Sequence, residues 1–177
     1  MTQRRSGRLV ILSGPSCAGK SPLYKALARF YPELAGAMQP LVLYNSRSPR
    51  PGETDGVDYY FRTRAQVEAL KAEDRFVVMD VRGDLQALDM EELSKRLDRS
   101  DVLFEGNPFV GCALLTHPRL ERVKKLSVFM SPLSREEIVF LKAPERHISL
   151  SDLITDVMRR KLLRRTSRQK TVLSLKD

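Results

Sequence analysis

Eight consecutive residues near the start of the chain have the types and spacing of a phosphate-binding loop (P-loop). They fill every fixed position of the pattern G-x-x-x-x-G-K-[ST]. The glycines let such a loop curl so that successive backbone N–H groups point at phosphate oxygens, at the positive end of a helix dipole. Lys20 would reach the β- and γ-phosphates of a nucleoside triphosphate, and the Ser21 hydroxyl would bind Mg²⁺. The residues of this predicted ATP phosphate site are Gly14, Pro15, Ser16, Cys17, Ala18, Gly19, Lys20 and Ser21.

The segments on either side of the P-loop are the ones that the pattern requires. The apolar run 9–12 predicts a buried strand, and apolar residues at helical spacing over 23–30 predict a helix. A strand, a glycine-rich loop and a helix in that order are the context in which the pattern indicates nucleotide binding. Pro22 is compatible with the first turn of this helix, where its missing N–H has no partner to lose.

A second loop, over residues 45–61, is rich in arginine, proline and glycine and follows a strand predicted over 41–44. Arg47 and Arg50 bracket a proline that stiffens the chain. This arrangement suits the binding of one phosphate from two sides. Local features alone fit a solvated charged loop about equally well.

The remainder of the chain alternates predicted strands and helices, which predicts an α/β fold with a parallel sheet covered by helices. The P-loop then lies at the carboxyl edge of the sheet. Glu105 ends a strand at that edge, where a carboxylate in P-loop enzymes organises Mg²⁺ or its water shell; a carboxylate that merely ends a strand is the alternative. Further strands are predicted over 76–81, 102–104 and 126–130, and helices over 64–73, 90–97, 109–115, 136–141 and 153–165, the last capped by Ser151 or Asp152.

Length and composition predict one domain of 177 residues with a formal charge of +9. No apolar run approaches the roughly 18 residues of a membrane span, and two cysteines do not make a disulfide framework. We therefore expect a cytoplasmic protein without a membrane segment. Residues 142–177 hold ten Lys or Arg and four Asp or Glu. Such a basic end suits a polyphosphate substrate, a membrane surface or nucleic acid, but nucleic acid is disfavoured because no aromatic residue is interleaved for base stacking.

Two motifs together resemble the guanylate kinase family. Residues 46–53, Ser-Arg-Ser-Pro-Arg-Pro-Gly-Glu, with Gly56, Asp58, Tyr59 and Phe61 are similar to that family's nucleoside-monophosphate signature, and the P-loop is also of its type. The resemblance implies transfer of the ATP γ-phosphate to GMP with Mg²⁺. It also implies a division into a core over 8–40 and 99–142, an acceptor-binding region over 41–90, a lid and helix over 143–165 and a basic tail over 166–177.

The resemblance implies roles for individual residues. Arg160, or its neighbour Lys161, aligns with an arginine of the family's lid helix that reaches the transferring phosphoryl group, and Arg146 is a looser candidate. The implied catalytic residues are Lys20, Arg160 and Arg146, the implied acceptor-binding residues are Ser46, Arg47, Arg50, Tyr59 and Asp80, and the implied metal ligands are Ser21 and Glu105.

The sequence departs from the family at the positions that read the guanine base. Leu43 stands where the family has a serine, and Val78 where it has a glutamate. Asp80 is the candidate replacement because it lies two residues beyond Val78 and hence on the same face of the strand.

Three functions remain open at this point: a GMP kinase, a kinase for another phosphorylated acceptor such as a sugar phosphate, and a binding module without catalysis. The intact Lys20 and Ser21 favour a kinase, because nucleotide phosphate and Mg²⁺ are what those residues bind. The partners expected are ATP and a nucleoside monophosphate, and the sequence does not indicate an oligomeric state.

Overall fold

The structure of the protein, a computed structural model, describes residues 7–143, 147 and 149–174. Eight strands within these residues form two four-stranded sheets, accompanied by seven α-helices. The strands are β1 (Leu9–Ser13), β2 (Met38–Pro40), β3 (Tyr44–Asn45), β4 (Tyr60–Phe61), β5 (Phe76–Val81), β6 (Asp84–Asp89), β7 (Asp101–Gly106) and β8 (Lys125–Phe129). The helices are α1 (Lys20–Phe30), α2 (Pro32–Gly36), α3 (Arg64–Ala69), α4 (Met90–Leu97), α5 (Pro108–Thr116), α6 (Arg135–Leu141) and α7 (Leu150–Ser174).

The first sheet is entirely parallel, with the strand order β2-β7-β1-β8. β1 lies at its centre, and Ser13 at the end of β1 is level with Gly106 on one side and Phe129 on the other. The loop that follows β1 therefore emerges at the carboxyl edge of the sheet, as predicted. Helices α1, α4 and α5 contact this sheet, which confirms the predicted α/β fold with a helix-covered parallel sheet.

The second sheet is mixed, with the order β4-β3-β6-β5. β3 and β4 are parallel, whereas β6 is antiparallel to both β3 and β5. Strand β6 is absent from the sequence-based prediction. Its sequence alternates polar and apolar residues after a two-residue turn at Arg82 and Gly83, which is a hairpin signal that went unrecognised.

One buried cluster joins the two sheets. Leu9 and Ile11 of β1 and Phe104 of β7 contribute from the first sheet, and Leu88 of β6 contributes from the second. Helix α4 adds an apolar stripe at positions i, i+3 and i+7, formed by Met90, Leu93 and Leu97. Burial of these side chains is the main favourable contribution to the free energy of folding.

The segment 41–44, predicted as one strand, instead links the two sheets. β2 ends at Pro40 in the first sheet, and β3 begins at Tyr44 in the second. Leu43 lies between them and is 3% exposed, because it points into the cluster that both sheets share. The apolar run thus reflects burial rather than a continuous strand.

The C-terminal helix α7 is longer than the predicted range 153–165. It begins after Ser149, whose Oγ accepts a hydrogen bond from the N–H of Asp152 at 3.3 Å. Ser149, rather than Ser151 or Asp152, therefore caps the helix. No helix of the described chain combines the length and the apolar character needed to cross a membrane.

Replacing Gly7 with Ala should destabilise the fold by about 1–3 kcal/mol or more, because the added Cβ would overlap the backbone carbonyl of Ser100. Gly36→Ala is the matched control, since nothing lies within 4 Å of a Cβ at that helical position. The control should be neutral or more stable by up to about 1 kcal/mol. Urea denaturation of both variants measures the difference, and equal stabilities would contradict the packing described here.

Candidate active site

A cleft of about 530 Å³ opens at the carboxyl edge of the parallel sheet. The P-loop forms one wall. The arginine-rich loop and the tip of the β5–β6 hairpin form the other wall, and the end of β7 lies between them. The cleft is therefore bounded by both of the loops that the sequence predicts to bind phosphate.

The P-loop wall is shaped by its glycines and by the start of helix α1. Gly19 precedes the helix with φ +100°, a backbone conformation that residues other than glycine rarely adopt. Lys20 is the first helical residue, and its Nζ donates hydrogen bonds to the carbonyl oxygens of Gly14 at 2.8 Å and Pro15 at 2.9 Å. The ammonium group is thereby held over the loop whose amides would cradle a phosphate.

Ser21 and Glu105 meet at the floor of the cleft. The Ser21 Oγ donates a hydrogen bond of 2.6 Å to Glu105 Oε1, although 84 residues separate the two in sequence. The parallel register of β1 and β7 produces this contact, because both strands end at the same edge. A hydroxyl and a carboxylate are the oxygen donors that suit Mg²⁺. Among the described residues no group of three or more His, Cys, Asp or Glu forms a metal cage.

Arg47 is held in place by Glu53 across the arginine-rich loop. Its Nη1 and Nη2 donate to the two carboxylate oxygens at 2.6 and 2.7 Å, and Nη1 also donates to the carbonyl of Ser48. This hydrogen bonding to Glu53 raises the pKa of Arg47. Burial acts to raise the pKa of Glu53, but hydrogen bonds from Arg47 and the Arg50 N–H lower it below its usual value.

Tyr59 and Arg50 complete the arginine-rich wall. The Arg47 guanidinium lies over the Tyr59 ring, 5.1 Å from its centroid, and burial raises the pKa of the Tyr59 hydroxyl, which therefore stays protonated and able to donate. The Arg50 side chain lines the cleft and makes no hydrogen bond or ion pair with any described residue. Its guanidinium is thus available to an anion.

Ser46 and Asp80 do not line the cleft. The Ser46 Oγ accepts a hydrogen bond from the Leu85 N–H at 2.8 Å and ties the loop to strand β6. Asp80 lies on the outer face of β5 and accepts a hydrogen bond from the Gly83 N–H. Val78, on the same face, packs against the cluster around Val67 rather than toward the cleft. Asp80 is therefore not placed to contact a base bound in the cleft, although it was the candidate for that role from the sequence.

Of the two arginines predicted to be catalytic, the structure describes only Arg160, and Arg160 does not line the cleft. Arg160 lies on the exposed surface of α7 and forms an ion pair of 2.7 Å with Asp156, one turn earlier. Arg146 lies outside the described residues.

The cleft also contains polar residues that were not among the predicted site residues: Arg82, Asp84, Gln86 and Asn107. Arg82, at the hairpin turn, and Asp84 and Gln86, on β6, all line it. The Gln86 Oε1 accepts a hydrogen bond of 3.3 Å from Asn107, which also caps helix α5. The alternation of 84–89 would have placed Asp84 and Gln86 on one strand face, but only the sheet packing shows which face meets the cleft.

Comparison with known proteins identifies relatives of this chain. A family model described as guanylate kinase matches residues 6–87. A guanylate kinase from Corynebacterium jeikeium (strain K411) is 34% identical over 142 residues, which cover 76% of this chain and 69% of that protein. A guanylate kinase from Synechococcus sp. (strain JA-3-3Ab) is 34% identical over 134 residues, 75% of this chain and 58% of that protein. The chain thus spans little more than half the length of the Synechococcus relative.

The fold also resembles a solved structure. The crystal structure of guanylate kinase from Anaplasma phagocytophilum superimposes with a TM-score of 0.55 over 93% of this chain and 87% of that one, at 20% sequence identity. This similarity concerns the fold.

Replacing Glu53 with Gln should destabilise the protein by about 1–3 kcal/mol at pH 7, because Arg47 loses its charged partner in a partly buried site. The folded-state pKa of Glu53 lies below its unfolded value of about 4.3, so the carboxylate contributes fully above that pH. The contribution is lost as the pH falls through the folded value. The stability difference between wild type and variant should therefore shrink from pH 7 to pH 3.

Urea denaturation at both pH values measures this difference. Glu68→Gln is the matched control, since its ion pair with Lys71 is more than half exposed and should contribute less than about 1 kcal/mol. A difference that stays constant with pH would contradict the role given to the Glu53 carboxylate.

Proposed function

The chain belongs to the guanylate kinase family, and from that premise we propose that it transfers the γ-phosphate of ATP to GMP, forming ADP and GDP in the cytoplasm. The observation that carries the proposal is the cleft itself. A loop suited to a triphosphate and a loop suited to a monophosphate face each other across it. Such an arrangement would hold a donor and an acceptor at once, which is what in-line phosphoryl transfer requires.

On the donor side, the amides of the P-loop and the Lys20 ammonium would hold the phosphates of ATP. Ser21 and Glu105 would hold Mg²⁺, directly or through its waters, since their oxygens already lie 2.6 Å apart. When bound, the ion would supply positive charge that neutralises the charge developing on the phosphate oxygens. The few protein donors at this position fit Mg²⁺, which keeps several waters and binds substrate phosphates.

On the acceptor side, Arg50, Arg47 and Tyr59 would hold the phosphate of GMP. Both terminal nitrogens of Arg47 donate a hydrogen bond to Glu53. These bonds fix the plane of the guanidinium before the acceptor binds. Because the second pKa of a phosphate monoester is about 6, the attacking oxygen is already ionised at pH 7. The reaction therefore needs no general base, and the residues act by orienting the phosphate and stabilising charge.

The acceptor base would meet the cleft-facing side of the second sheet. On β5 this side is apolar, with Val77, Met79 and Val81 packed on the shared core. On β6 it carries Asp84 and Gln86. A carboxylate can accept two hydrogen bonds from the N1–H and the amino group of guanine, which an apolar side chain cannot. We propose that Asp84, rather than Asp80, supplies this recognition.

A coupled assay of ADP formation tests the proposed function. ATP and Mg²⁺ are supplied with GMP, dGMP, AMP, UMP or a sugar phosphate in turn. Activity should be highest with guanine nucleotides, and Lys20→Ala should lower kcat by about 100-fold or more, because it removes a cation from the donor phosphates. ATP binding without phosphoryl transfer to any acceptor would favour a binding module. Higher activity with an acceptor that lacks guanine would show that GMP is not the substrate.

Asp84→Asn should narrow the preference for GMP over AMP by about tenfold or more, since the amide offers one acceptor atom where the carboxylate offers two. The ratio of kcat/KM for the two acceptors measures the effect. Asp80→Asn is the matched control on the opposite strand face and should leave this ratio unchanged. An unchanged ratio in Asp84→Asn would place base recognition elsewhere.

A further inference from the structure

The tip of the β5–β6 hairpin carries an arginine in a backbone conformation that arginine rarely adopts. Arg82 has φ +59° and Gly83 has φ +87°. A two-residue turn with both φ values positive favours Asn, Asp and Gly, whereas a left-handed conformation costs other residues about 1 kcal/mol or more. The conformation of the turn therefore does not explain why position 82 is an arginine.

The hairpin is a fixed platform for this side chain. Six residue pairs join β5 to β6. The Gly83 N–H donates to the Asp80 carboxylate at 2.9 Å, and the Gly83 carbonyl accepts a hydrogen bond of 2.7 Å from Arg64 on α3. The turn is thus held from two sides, and its orientation does not depend on Arg82.

The Arg82 side chain lines the cleft together with residues of the P-loop and with Arg50. It makes no hydrogen bond, ion pair or ring contact with any residue that the structure describes. Arg82, without a partner among the described residues, thus shares the cleft with the carboxylates of Glu105 and Asp84 and with the loops proposed to bind the phosphates of both substrates.

We propose that Arg82 is a phosphate-binding catalytic residue that reaches the reacting groups from the hairpin tip. The inference rests on the proposed phosphoryl transfer. Charge spreads over the equatorial oxygens during transfer and must be neutralised. Arg160 is paired with Asp156 on the exposed face of α7, and Arg47 is largely engaged by Glu53. Arg82 supplies a cation from the wall opposite the P-loop, with five N–H donors for phosphate oxygens.

The oxygens that Arg82 binds belong either to the acceptor's phosphate or to the γ-phosphate in transfer, and kinetics separates the two. A contact with the acceptor's phosphate would raise KM for GMP and weaken GMP binding. A contact made in the transition state alone would lower kcat with little change in either KM.

Arg82→Asn is the decisive variant because asparagine suits the left-handed turn. Its thermal stability should equal or exceed that of wild type, so a loss of activity would come from the missing guanidinium. We expect kcat/KM for GMP to fall by about 100-fold and Arg82→Lys to restore it in part. Arg122→Ala, an exposed arginine before β8 at the amino edge of the first sheet, is the matched control and should keep wild-type kinetics.

Calorimetric titration of wild type and Arg82→Asn with GMP and with ATP accompanies the kinetics. If wild type shows no phosphoryl transfer but binds these nucleotides, weaker binding by Arg82→Asn still supports phosphate binding by Arg82, and only the proposed reaction fails. Values of kcat/KM and of both binding constants within about twofold of wild type would overturn the role of Arg82. Wild-type protein that binds neither nucleotide would overturn both proposals.

Discussion

The cleft of this protein depends on a single buried cluster that both sheets share. Leu9 and Ile11 of the parallel sheet pack with Leu43, Val81 and Leu88 of the second sheet or the segment entering it. The burial of apolar side chains has no directional preference, but the strands that carry these side chains run in fixed directions. Because β1 and β5 both lead from this cluster to the cleft, the P-loop and the hairpin tip are held at a fixed separation around a space large enough for phosphates.

Carboxylates orient an arginine and a hydroxyl group of the cleft without using up the hydrogen-bonding capacity of these groups. Glu53 pairs with the Arg47 guanidinium and also accepts a hydrogen bond from the Arg50 N–H, so one carboxylate contacts both arginines of the loop. Glu105 accepts a hydrogen bond from the Ser21 hydroxyl beside the P-loop. In each pair the carboxylate orients its partner. The pair still has hydrogen-bond donors or acceptors that are not used between the two groups and could contact a ligand. Such preorganisation lowers the reorganisation needed when charged phosphates bind.

The two halves of the cleft differ in how far they match the family's pattern. The P-loop half carries every fixed residue of the motif, and the two residues proposed to hold Mg²⁺, Ser21 and Glu105, are hydrogen-bonded to each other. The opposite half keeps the two arginines and the tyrosine that are proposed to bind the acceptor's phosphate, but the cleft face of β5 is apolar. On the hairpin, the charged groups that line the cleft are Arg82, in the turn itself, and Asp84, directly after it. Under the proposed function, recognition by the hairpin would therefore be concentrated at its tip.

The sequence alone determined the features that are local in the chain. The P-loop, the arginine-rich loop and helix α4 are each specified by contiguous residues whose backbone preferences and spacing suffice. Which residues share the cleft depended on tertiary packing. Asp80 and Asp84 are four residues apart on one hairpin, yet only Asp84 reaches the cleft, because the turn between them sets the face each presents. The contact between Ser21 and Glu105 likewise required the pairing of β1 with β7, since strand order and register are set by packing between segments distant in sequence.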